Sequence, residues 1–502
     1  MAKNEIKYGA LLSYILIIIN ALYGLIVSPY ILQCVGADEY GVYKTISSFT
    51  SAFMVLDLGL GLTMMRYIAK FRADGQEHKI PNYISMCFIQ AGIILVVLSV
   101  AMLFMYFSVD NIFSKGLSVS EIEKAKQLYA FLALSLLMHI IENVFNGIIT
   151  GYNHFVLGNG IKLLRLVSRI ILIFLLLSIV KDTLLLVIID LLLTFMVIII
   201  EAVYIFYRLH VKVRFVCFEK SLFIDSLKYT SLMFITSITS QIENNLDNIV
   251  IGAIIGAVAV AIYSYGLLIF GMFQQLSTAI ASVLLPTVTN ILAVDDENKS
   301  NTQKLVVKIG RVQFSLLGAA AVGFLIIGKR FISFWLGKGY EDVYYIVLIL
   351  IFPAILELCV NTCLTVLRAQ NKIGFRTIVL LSTTVLNAII TVIGTYFWNY
   401  YAAAIGTAVS FFLGSVVIMN IYYYRKIGFN MISIYLSIFK RIWVCILLSG
   451  LTCAVVAYFV KSQILGLILP IMAFVITYAI TLLLFGLNKE EKETLLKVRN
   501  KK

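Results

Sequence analysis

Lys162, Arg165 and Arg169 follow one another at spacings of three and four, which on a helix stacks three cations on one face. At about 1.5 Å per residue this face reaches roughly 10 to 15 Å beyond Gly158. Guanidinium forks match phosphate oxygens in geometry and charge. The spacing therefore suits an anionic, phosphate-bearing head group, with Arg66 and Arg311 as further candidates for the same contact. Two structural readings compete: Lys162 can snorkel to a polar surface, and Arg169 can pair with an acid such as Glu201 or Glu142.

Acids and amides form a second set. Ser237, Ser240, Glu243 or Asn244, and Asp247 recur at helical spacing, with Gln241, Asn245 and Asn248 beside them. His139, Glu142, Asn143 and Asn146 share another face, and Glu357, Asn361, Thr365 and Arg368 a third. Glu243, Asp247 and Glu357 are candidates to take up and release a coupling cation, H⁺ or Na⁺. Asn244, Gln241, Ser240, Asn143, Asn361, Gln274 and Asp57 are candidates to line a polar cavity. A hydrogen-bonded seam between helices would use the same residue types, and both readings stand at this point. The histidines are scattered at 78, 139, 154 and 210, so no metal or haem spacing forms, and no cofactor is expected. No nucleophile, base and orienter constellation is visible, which argues against an enzyme.

These polar residues are embedded in a chain of 502 residues that is 61% hydrophobic and only 13% charged, with a mean hydropathy of +0.98. Such a composition makes the bilayer the solvent. A charge at its centre costs roughly 2.5 to 3.5 kcal/mol, so each buried cation or acid should turn toward a partner or a wet cavity. Apolar runs bounded by charge, Gly, Pro or Asn place about fourteen spans. They lie near 9 to 29, 40 to 63, 82 to 108, 127 to 150, 159 to 180, 183 to 207 and 229 to 254, then 258 to 285, 306 to 327, 342 to 366, 373 to 395, 401 to 424, 438 to 459 and 464 to 486. The first reads as an uncleaved span. Lys and Arg test the order, because cytoplasmic connections carry the excess. With the N-terminus inside, about 31 of the 40 basic residues fall on the cytoplasmic side, and the C-terminus is cytoplasmic too. The net charge of +14 is thus a topology signal, and no nucleic-acid partner is implied.

The spans repeat. Gly36, Ala37 and Tyr43 recur as Gly256, Ala257 and Tyr263, and Asn143, Gly151 and Asn153 as Asn361, Ala369 and Asn371, at nearly constant offset. The expected organisation is all-α: a first six-helix lobe over 1–208, a cytoplasmic linker over 209–228 and a second six-helix lobe over 229–426. Two further helices over 427–488 and a basic tail over 489–502 complete it. Between Asp110 and Lys126 the pair Ser120 and Glu123 fits a capping box, which predicts a short surface helix.

The stretch Pro29-Tyr30-Ile31-Leu32, then Gly36, Tyr40-Gly41-Val42-Tyr43, Leu56-Asp57-Leu58-Gly59-Leu60 and Arg66-Tyr67-Ile68-Ala69 resembles the opening of Wzx-type oligosaccharide flippases of the MOP exporter superfamily. Leu246-Asp247-Asn248-Ile249-Val250-Ile251-Gly252, with Ile262-Tyr263-Ser264 and Pro286, is similar to the second-lobe pattern of the same family. Gln33 stands where the family often carries a basic residue. The resemblance implies a MATE-like pair of lobes around a cationic cavity, in the bacterial inner membrane. It also implies an undecaprenyl-pyrophosphate-linked oligosaccharide as cargo for O-antigen, lipopolysaccharide or another surface polymer. Glycosyltransferases and a polysaccharide polymerase would be functional partners, and the chain would act as a monomer among membrane lipids. A MATE-like multidrug antiporter is the alternative on the same fold. A membrane polysaccharide polymerase ranks below both, since no connection much exceeds about twenty residues.

Overall fold

The computed structural model describes residues 2–57, 59–215, 224, 238–239, 241–294, 299–369, 374–488 and 491. Among them the fold is helical throughout, without a strand. Twelve of the described helices are long and apolar enough to cross a membrane, against the fourteen or so expected. Of the two remaining expected spans, one is Phe155–Leu177, whose 23 residues include Lys162, Arg165 and Arg169. The other, 229 to 254, has most of its first half outside the described residues.

The chain divides into two compact units, Met1–Ala261 and Ile262–Lys502. In the first, Val119–Gly151 is the central helix, packed by Ala37–Ser51, Leu60–Ala73, Ile80–Phe113 and Thr183–Val203. Its crossing with Leu60–Ala73 brings the two backbones together. A Cβ on Gly61 would meet the Asn143 carbonyl oxygen at 2.5 Å, and one on Gly147 would meet the Gly61 oxygen at 2.5 Å. Small residues let two backbones touch where no hydrophobic force drives helices together, and dispersion then holds the crossing. Outward-facing Val96, Val97, Val100, Leu103, Phe104 and Phe107 of Ile80–Phe113 are exposed, as lipid-facing side chains must be.

Two local expectations are corrected. The second span is not one uninterrupted helix over 40 to 63. Ala37–Ser51 gives way to a tighter turn at Ala52–Asp57, Gly59 takes a φ of 68°, and Leu60–Ala73 begins afresh. A left-handed backbone at Gly59 costs least without a Cβ. The capping box lies at Ser118 and Glu121, two residues before the expected pair, and the helix it opens runs unbroken to Gly151 rather than forming a short surface helix. Both frames fit the Ser-x-x-Glu spacing. Burial of Leu117, with Ile122 packed near it, selects the earlier one as a hydrophobic staple.

In the second unit Lys299–Trp335 packs against Asp342–Cys359, Met431–Phe439 and Ile442–Phe459. Ile442–Phe459 and Leu465–Thr481 form a tight pair, and Gly374–Trp398 lies along Tyr401–Phe411. Thr383, Thr384, Asn387, Thr391 and Thr395 line the buried side of Gly374–Trp398 as a neutral polar seam.

Candidate functional site

The basic face of Phe155–Leu177 is compensated by its neighbours. The Arg165 Nη1 donates to both oxygens of Glu142, at 3.1 and 3.0 Å, and Nη2 donates to Thr194 Oγ1 at 2.8 Å. His139 Nδ1 stands 3.1 Å from Glu142 Oε2, closing a group of three. Arg169 forms a two-point ion pair with Asp190: Nη2 donates to Oδ2 at 2.8 Å and Nε lies 2.8 Å from Oδ1. Its guanidinium also sits 5.1 Å from the Tyr23 ring centroid, within cation–π range.

Helix geometry explains these partners. Phe155–Leu177 and Thr183–Val203 are antiparallel neighbours joined by a short turn, so residues equally far from the turn come level. Arg169 is level with Asp190 and Arg165 with Thr194. The expectation of Glu201 or Glu142 as the partner of Arg169 is therefore corrected: Glu142 serves Arg165. Glu201, 1% exposed, accepts from Asn146 Nδ2 at 3.3 Å through Oε1, and its Oε2 has no hydrogen-bond partner among the described residues. Lys162 Nζ reaches Asn146 Oδ1 at 3.4 Å, which links the lysine to Glu201 through one amide.

The described part of the seventh span, 238 to 239 and 241 to 254, belongs to the first unit. Asn248 Nδ2 donates to Ser48 Oγ at 3.0 Å, and Asn245 Nδ2 to Gln241 Oε1 at 2.7 Å. Asp247 is 2% exposed, whereas Glu243 and Asn244 are exposed. Ser240 and the Asp57 side chain lie outside the described residues, as does the side chain of Arg368. Arg66 is exposed on Leu60–Ala73, and the half-buried Asn143 stands where the Gly61 crossing meets Val119–Gly151.

In the second unit Glu357 is paired with Arg376, whose Nη2 donates to Oε1 at 3.2 Å. Asn361 is half-buried just beyond the same helix, and Gln274 is half-buried on Ala257–Val294. Arg311, 3% exposed, is fully occupied. Its Nε and Nη2 donate to Glu491 Oε1 and Oε2 at 2.7 and 3.2 Å, Nη1 to the Ser437 and Lys440 oxygens, and Nη2 to the Gly486 oxygen.

The structure thus gives each cation of this face its own partner, Asn146 beside Glu201 for Lys162, Glu142 for Arg165 and Asp190 for Arg169, while Arg311 is held by partners of the second unit. It also adds Lys44, which sequence reasoning passed over. Its Nζ lies 5.5 and 5.9 Å from the Tyr40 and Tyr43 ring centroids. A lysine directly after the Gly41-Val42-Tyr43 motif, inside an apolar run, was the available signal.

A family model described as "Polysaccharide biosynthesis protein" matches residues 6–292. No curated protein matches the chain. Among solved structures, the lipid II flippase MurJ in an inward closed conformation is similar at 15% identity, covering 94% of this chain and 97% of its own, with a TM-score of 0.70. An inward-facing multidrug resistance MATE transporter of the MOP superfamily is similar at 14% identity, covering 83% and 99%, with a TM-score of 0.64. A MOP superfamily transporter from Pyrococcus furiosus, noted for the reverse polarity of its binding pocket, is 15% identical over 85% and 97%, with a TM-score of 0.56.

Proposed function

The chain belongs to the polysaccharide biosynthesis protein family, a multi-pass membrane protein on the MOP-superfamily fold, and from that premise we propose that it flips a lipid-linked oligosaccharide. Family and fold are those of flippases and transporters, not of enzymes. The cargo in this reading is an undecaprenyl-pyrophosphate-linked repeat unit, moved from the inner to the outer leaflet of the inner membrane by alternating access. Pyrophosphate and sugar hydroxyls cannot cross hydrocarbon unsatisfied, so they need a polar path.

The observation that carries the reading is the match of residues 6–292 to the polysaccharide biosynthesis family, with Arg165 and Arg169, each held by a carboxylate, as the cations that a pyrophosphate would meet on one helix face. A guanidinium held by a carboxylate is charge-balanced, and an arriving pyrophosphate can replace that carboxylate oxygen for oxygen. The head group engages Arg169 and Arg165 while sugars follow the amide faces and the prenyl chain stays in lipid. A coupling cation, H⁺ or Na⁺, binds at Asp247 and Glu243 or at Glu357, and its release resets the cycle. Burial of Asp247 supports an acid held away from bulk water, whereas Glu243 is exposed and Glu357 would have to exchange Arg376 for the ion.

Proteoliposomes with a fluorescent lipid-linked oligosaccharide test this. Arg165→Gln with Arg169→Gln, at matched protein levels, should slow flipping tenfold or more. Full flipping by that variant would remove the head-group assignment, and indifference to both pH and Na⁺ gradients would remove the coupling. Drug-sensitivity assays on a deletion strain address the antiporter alternative.

A further inference from the structure

Lys304, Lys308 and Arg311 follow at intervals of four and three on Lys299–Trp335, so they share one face. With Ser437, Asn488 and Glu491 they border a cavity of about 480 Å³ that lies wholly within the second unit. Three cations meet a single acid among the described lining residues. That acid is committed: Glu491 accepts from Arg311 at 2.7 and 3.2 Å, and from the Asn488 N–H at 2.7 Å. Arg311 is buried and saturated, whereas Lys304 and Lys308 are exposed. The cavity therefore has two parts. Its buried part already holds a carboxylate from the chain itself, and its exposed part carries two ammonium groups, with no second acid among the described lining residues.

Position identifies the kind of anion. The last apolar helix ends at Gly486, two residues before Asn488, and the span that carries Lys304 begins at Thr302. The cavity therefore sits where hydrocarbon gives way to the polar boundary, the depth of phospholipid phosphates, and basic residues there mark the cytoplasmic leaflet. We propose that this cavity binds a phosphate group, held between the Lys304 and Lys308 ammonium groups with the Ser437 hydroxyl and the Asn488 side-chain amide as neutral donors. This site is separate from the arginines assigned to the cargo, and its ligand is a resident anion of the boundary.

The test is thermal unfolding of the whole protein in nanodiscs of phosphatidylcholine, with and without phosphatidylglycerol, and in phosphatidylcholine with added inorganic phosphate. Phosphatidylglycerol should raise the midpoint, and Lys304→Gln with Lys308→Gln should weaken its apparent affinity roughly 10- to 30-fold. The exposed pair Lys338→Gln with Lys461→Gln should keep the wild-type response. Glu491→Gln, which removes the competing carboxylate, should strengthen the response while the lysine pair weakens it, so a mere loss of folding cannot mimic both. A rise with phosphatidylglycerol alone identifies a lipid head group, and an equal rise with inorganic phosphate identifies the free anion. No rise with either, or a rise that survives the lysine pair, overturns the proposal. None of these readings depends on flipping, so the two proposals fail separately.

Discussion

Two arginine sites in this chain solve the same electrostatic problem in different ways. Arg165 and Arg169 are held by side chains of neighbouring helices, Glu142, Thr194 and Asp190, and keep 19% and 23% of their side-chain surface exposed. Arg311 is 3% exposed and spends its donors on three backbone carbonyls as well as on Glu491. A side-chain partner can swing away when a better anion arrives. A backbone carbonyl fixed between helices cannot. The first site has the form of an exchangeable contact, and the second that of a staple tying Lys299–Trp335 to the ends of the last helices.

The contrast breaks most easily at the staple. Arg311→Met would strand Glu491 together with the Ser437, Lys440 and Gly486 carbonyls, and losing one partner of a buried pair costs about 3 to 5 kcal/mol. A large fall in the thermal midpoint in detergent is expected. An unchanged midpoint would show that Arg311 fastens nothing.

Glu491→Gln should cost less, about 1.5 to 3 kcal/mol, the range for hydrogen bonds to charged groups. Burial alone pushes the Glu491 carboxyl up, but the Arg311 guanidinium and the Asn488 N–H outweigh it and hold it below the ordinary carboxylate value. A folded-state pKa below the unfolded value of about 4.3 means that the stabilisation is complete above that pH. It disappears as pH falls through the lower, folded value. The difference in midpoint between wild type and Glu491→Gln should therefore stay flat from neutral pH to about pH 5 and close only in stronger acid. A gap that closed near neutrality would contradict the pairing.

The sequence exposes these two sites unequally, and the reason is physical. The face formed by Lys162, Arg165 and Arg169 is legible because helical period is local, and the apolar composition already requires each such charge to find a partner. Which acid answers Arg169 depends on how far each residue lies from the turn between two antiparallel helices. That relation becomes readable only once the helix ends at Leu177 and Thr183 are known. Arg311 reads from sequence as one more cytoplasmic-side cation, because its partner Glu491 lies 180 residues away and three of its acceptors are carbonyls that no side-chain pattern reports. The apolar spans are visible in composition alone, yet the break at Ala52–Asp57 depends on Gly59 adopting a positive φ, which the hydropathy of the run conceals.

The smallest stability effect belongs to the most informative variant. Exchanging the partners, Arg169→Asp with Asp190→Arg, keeps one cation and one acid at level positions on the same two antiparallel helices. The unfolding free energy should stay within about 1 kcal/mol of wild type, since the pair is partly exposed and re-forms in reverse. If Arg169 were only structural, restoring the pair would restore flipping as well. If the guanidinium meets pyrophosphate, anchoring it on the neighbouring helix shifts it across the ion pair and reverses the direction from which its fork approaches. Transport should then fall tenfold or more in a protein that folds as before. Stability without transport separates an exchangeable contact from a staple, and recovery of both in the swapped protein would place Arg169 in the same class as Arg311.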